Sequence, residues 1–99
     1  MADLVRTPLD HAINLSDAYS LYQEVKEIIV LAECTNGDNK YLISSVNELR
    51  NAFDHIMRSV NDSANIATHL DKAKGHIYRA GYDAYEIIVI SKMNEIMDI

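Results

Sequence analysis

The chain of 99 residues has little that breaks a helix and nothing that builds a covalent framework. One proline and three glycines leave long stretches free of residues that disrupt helical backbone. The single cysteine, Cys34, excludes an intramolecular disulfide and any zinc site made of cysteines. A lone thiol suits a reducing, cytoplasmic setting. Tryptophan is absent, and basic residues are outnumbered. Nine Lys and Arg against fifteen Asp and Glu give a formal charge of −6. That balance excludes a broad basic face for nucleic acid, though not a small local cluster touching a few phosphates.

Long apolar runs are also lacking. Ile28–Ala32 and Ile87–Ile90 fall far below the roughly 20 residues of a membrane-crossing helix, so no membrane association is expected. The start, Met1-Ala2-Asp3-Leu4-Val5-Arg6, has neither the basic opening nor the apolar stretch of a signal peptide. No glycine-rich phosphate loop, Ser/His/Asp order, Glu-x-x-His or His-Glu-x-x-His occurs, so neither a cofactor nor a metal is expected.

What is present is apolar residues, 48% of the chain, at helical spacing. They predict a single all-α domain over 1–99, an antiparallel bundle of three main helices. The first runs over about 8–34. Thr7 can cap it, Pro8 suits its first position and Asp10 its positive end, and Leu21, Val25, Ile28 and Ala32 form its stripe. Gly37 suits a helix end, and Asp38 or Asn39 can cap the next. The second helix covers about 40–60, with Leu42, Val46, Leu49, Phe53, Ile56 and Val60 as an apolar seam at alternating spacings of four and three. Asp62 or Ser63 caps the third, over about 64–97. Its seam is Ile66, Leu70, Ala73, Ile77, Ala80, Ala84, Ile87 or Ile88, then Met93 and Met97. Gly75 and Gly81 lie inside it, either as simply tolerated glycines or as points of close helix approach.

The third helix is about 34 residues or roughly 50 Å long, against roughly 30 Å for the second. Its apolar end, from Ile87 to Ile99, therefore overshoots and wants a partner. Either the chain oligomerises, with a homodimer completing the bundle, or it is the N-terminal part of something longer.

The second helix also carries Arg50-Asn51-Ala52-Phe53-Asp54-His55. At 100° per residue, Arg50, Asn51, Asp54, His55 and Arg58 share the side away from Leu49, Phe53 and Ile56. The pairs Arg50–Asp54 and Asp54–Arg58 are opposite charges four apart, and Asn51–His55 can share a hydrogen bond. One reading is a solvated face laced with weak ion pairs. The sharper one is a reactive site. Arginine offers a permanent charge and a fork of donors for phosphate, and histidine moves a proton near neutrality. Arg50-Asn51-x-x-x-His55 resembles the Arg-polar-x3-His motif of the HEPN (higher eukaryotes and prokaryotes nucleotide-binding) superfamily. The resemblance implies an all-α bundle from a bacterial toxin–antitoxin or phage-defence system. It implies a metal-independent ribonuclease acting as a homodimer on RNA, with an antitoxin or other protein partner. Arg50 and His55 would be catalytic and Asn51 supporting. The alternative is a non-catalytic helical dimerisation or interaction module.

His69 and His76, seven apart on one face of the third helix, are separated by about 10 Å, too far to share a metal without a third element between them. His11 stands alone in the first turn of the first helix. Tyr78, Tyr82 and Tyr85 form a stripe, expected at a core edge or a dimer interface rather than as a platform for stacking bases.

Overall fold

A computed structural model describes residues 8–35 and 42–97, with side chains described from Leu15 onward. The caps expected at Thr7, Gly37, Asp38 and Asn39, the first residues of the second helix before Leu42, and the side chains of Asp10 and His11 lie outside the described residues. Helix α1 is Pro8–Thr35, α2 is Ile43–Asn61 and α3 is Ile66–Met97. A short 3-10 turn, Ser63–Asn65, leads into α3. The fold is an all-α three-helix bundle, and the described residues contain no strand. No helix among them is long and apolar enough to cross a membrane.

Helix α3 is the spine. Helices α1 and α2 each pack along it, while they scarcely touch one another. The reason lies in side-chain size. Helix α1 turns Ala18, Val25 and Ala32 onto α3, at seven-residue spacing, and α2 turns Ser45, Ala52 and Ser59. Against them α3 presents Leu70, Ala73, Ile77, Ala80, Gly81 and Ala84. Small residues let helix backbones approach closely. Ser45, 0% exposed, reaches far enough to donate its hydroxyl to the Ala80 carbonyl at 2.9 Å. Gly81 sits where a methyl group would lie 2.7 Å from Val25 Cγ2, so it is a point of close approach. Gly75 is the tolerated kind, since an added methyl would meet only the tip of Arg79 at 3.8 Å.

The seam expected on α2 is divided. Leu42 is buried, and Leu49 and Ile56 are half-buried beside α3. Val46, Phe53 and Val60 are 41%, 58% and 73% exposed. The helix is rotated so that Ser45, Ala52 and Ser59 take the place the bulky residues were expected to fill. The polar line wins because its members are small and their hydroxyls bond to backbone carbonyls, Ser59 to Ile56 at 2.6 Å. The seam of α3 holds from Leu70 to Ala84. Beyond it Ile87 and Ile88 pack on Ala32 and Leu42, whereas Met93 and Met97 stand exposed. Asp62 occupies the capping position of the turn into α3. Its side chain bonds to Asn65 and His69 side chains rather than capping backbone.

Candidate functional site

Two features of α2 stand out, on opposite sides of the helix. The first is a layer of three histidines. Rotation of α2 brings His55 inward, against α3, and not onto the solvent side expected for it. Its ring stacks on His76 with centroids 5.3 Å apart and tilts against His69 at 5.5 Å. His55 is thus the third element between His69 and His76. Sequence periodicity places His69 and His76 on one face. Only the antiparallel packing of α2 on α3 inserts His55 between them.

The hydrogen bonds define a chain. Asp62 is a carboxylate, so His69 donates Nε2–H to Asp62 Oδ2, at 3.1 Å. With His69 in its neutral form, its bare Nδ1 accepts from His55 Nδ1–H at 3.3 Å. That leaves His55 Nε2 as a lone-pair nitrogen. Burial lowers the His55 pKa below its ordinary value, and the charges of His76, Arg58, His69 and Lys72 lower it further. His55 is therefore neutral near pH 7. Hydrogen bonds from Asn65 and His69 hold the Asp62 carboxyl below its ordinary range, outweighing burial.

At the other end of the layer Arg79 donates from Nε to Glu48 Oε2 at 2.7 Å and from Nη2 to His76 Nδ1 at 2.9 Å. His76 Nδ1 also lies 3.3 Å from Glu48 Oε1, a contact that is an ion pair whenever the imidazole is protonated. Burial pushes the Glu48 carboxyl up, but the bonds from Arg79 and His76 and their charge bring it below its usual value. The described residues contain no group of three or more His, Cys, Asp or Glu able to hold a metal ion.

Arg50 and Asn51 are exposed and do not join this layer. Five residues of helix separate Arg50 from His55 by about 140° of rotation. Asp54 pairs with Arg58 at 3.0 Å, and among the described residues Arg50 makes no ion pair. His55 bonds to His69 in place of Asn51. Arg50 instead lines a separate cavity between α1 and α2, beside Glu33, Ile29 and Val46.

An apolar groove between the same two helices is the second feature. Leu15, Tyr19 and Tyr22 of α1 face Leu49, Phe53 and Ile56 of α2 across a groove of about 390 Å³ floored by Ala18, Ala52 and Ile77. Its lining is almost wholly apolar. The rest of the α2 stripe, Ile43, Val46, Met57 and Val60, continues along the same edge, and all four are exposed. Tyr78, Tyr82 and Tyr85 are also exposed, away from the groove on the outer flank of α3. Comparison of the chain with family models, curated proteins and solved structures yields no match.

Proposed function

We propose that this chain is a non-catalytic helical association module that completes its bundle with a second copy of itself. The observation that carries this reading is the divided seam of α2. Of the most regular apolar pattern in the sequence, Val46, Phe53 and Val60 stay exposed among the described residues, and Phe53 borders an open apolar groove. The monomer's own core is thin. Among the described residues, six of the ten buried apolar residues are alanine. Burying a large apolar side chain contributes about 1.5–3 kcal/mol. Most such side chains here are half-buried or exposed, so much of that stabilisation waits on association. Light scattering at micromolar concentration is expected to give a dimer, and Phe53→Glu a monomer of unchanged helicity. A wild-type chain that is monomeric throughout would refute the reading.

A second reading, the HEPN-like ribonuclease with Arg50 and His55 catalytic and Asn51 supporting, is favoured by one observation. His55 ends the Asp62–His69–His55 chain as a neutral imidazole with Nε2 unprotonated, the form a general base needs. It requires that assembly bring an arginine to His55, because the intrachain Arg50 diverges from it. The expected outcome is RNA cleavage in EDTA that disappears in both Arg50→Ala and His55→Ala while the fold persists. Cleavage that survives either substitution removes this reading.

A further inference from the structure

Helix α2 presents an apolar stripe whose spacing is the same in both directions from Phe53. Val46 lies seven residues before it and Val60 seven after, with Leu49 four before and Met57 four after. Seven residues are two helical turns, about 10.5 Å, and return to nearly the same angle on the helix. A stripe symmetric about one residue matches itself when the helix is reversed. Phe53 then meets Phe53 of the other copy at a two-fold axis, and Val46 of each meets Val60 of the other. A self-complementary patch related by a two-fold axis is how closed dimers form.

The groove beside the stripe supplies the matching concavity. Phe53 stands 58% exposed at its lip, facing Tyr19 and Tyr22 across a floor of Ala18, Ala52 and Ile77. The partner's Phe53 can enter where no chain atom now lies. Exposed surface on Leu15, Tyr19, Tyr22, Val46, Phe53 and Val60, together with Ile43 and Met57, amounts to about 800 Å² at 150–250 Å² for a large side chain. A standard-size stable interface takes about 800 Å² from each partner, and the exposed apolar surface of this face is of that order.

We infer that two copies pair antiparallel through α2, with the Phe53 side chains at the two-fold axis and the α1/α2 groove of each copy receiving the other's stripe. This rests on the association reading and adds to it the surface and the orientation. The arrangement leaves His55 outside the interface. It lies about 160° around α2 from Phe53, against α3 of its own chain.

Cysteine cross-linking tests the inference on the full chain in a Cys34→Ser background, which removes the one exposed native thiol. Val46→Cys and Val60→Cys proteins are mixed and mildly oxidised, as are Val46→Cys and Phe53→Cys each alone. A disulfide forms only where Cβ atoms come within about 3.5–4.5 Å. The expected result is a mixed Val46→Cys/Val60→Cys disulfide and a Phe53→Cys homodisulfide, with little Val46→Cys homodisulfide. The mixed pair keeps Phe53 and so reads orientation even if Phe53→Cys weakens the dimer. A predominant Val46→Cys homodisulfide means parallel pairing and overturns the inference. A dimer by mass with no disulfide in any combination places association elsewhere, for example at the exposed end of α3. That overturns the inference while the association reading stands. A monomer by mass overturns both.

Discussion

Ala52 and Phe53 are neighbours on α2, yet they live in opposite environments. Ala52 is 2% exposed between α2 and α3, and Phe53, more than twice its size, faces the open groove. The same inversion repeats one heptad away on each side, at Ser45 and Val46 and at Ser59 and Val60. One line of α2 is selected for closeness and the next for area. Close packing of small residues ties α2 to α3 without burying much apolar surface. The large residues are left exposed. The single-chain bundle and the proposed association face are thus separate lines on one helix, and each can be broken without the other.

The largest effect is expected from enlarging the close line. Ala52→Leu should cost about 1–3 kcal/mol by forcing α2 off α3, measured by urea denaturation. Phe53→Gln should move the stability of the dissociated chain by no more than about 0.5 kcal/mol. Equal costs at the two positions would mean the inversion is not real in solution. On the α1 side, Gly81→Ala should destabilise by about 1–2 kcal/mol, because its methyl meets Val25 at 2.7 Å, and Val25→Ala should restore part of that. Gly75→Ala should do the opposite, stabilising by up to about 1 kcal/mol through helix propensity in open space. Thermal melts that rank the two glycines alike would show that α1 does not approach α3 at Gly81.

The smallest effect concerns pH and the histidine layer. The His55 pKa is lower in the folded chain than its ordinary 6.5, so the unfolded chain binds more protons as pH falls. Stability is therefore full above 6.5 and declines as pH drops through and below that value. The lowered carboxyls of Glu48 and Asp62 contribute above their ordinary values of 4.5 and 3.8, so their contribution is lost only at more acid pH. His55→Gln should flatten the slope between neutral pH and pH 5. An unchanged slope would show that the layer is open to solvent. If α2 pairs with a second copy through Phe53, dimer mass should stay insensitive to the same substitution, since His55 faces the other way.

The three helices were legible because apolar spacing reports helical period directly, and Pro8, Asn61 and Asp62 mark ends that the backbone obeys. The division of the α2 seam was not legible. A run at four–three spacing states that one side of a helix will be buried. It cannot say whether the cover comes from the same chain, and Ser45 and Ser59 read as polar surface until their hydroxyls are seen on carbonyls. Of the six residues from Arg50 to His55, the sequence showed the types and the angular spread. It could not show that His55 turns inward to His69 and His76, because that depends on the register of α2 against α3.

By itself the sequence determined an all-α chain with three helices, their approximate lengths, and an apolar seam along the second helix from Leu42 to Val60. These follow from local propensity and from a period that any observer can count. The tertiary structure alone decided which side of α2 meets α3. Packing selects for fit rather than hydrophobicity, and Ser45, Ala52 and Ser59 fit the small residues of α3 more closely than the bulky seam beside them. That choice leaves the Phe53 stripe facing outward and places His55 among its partners.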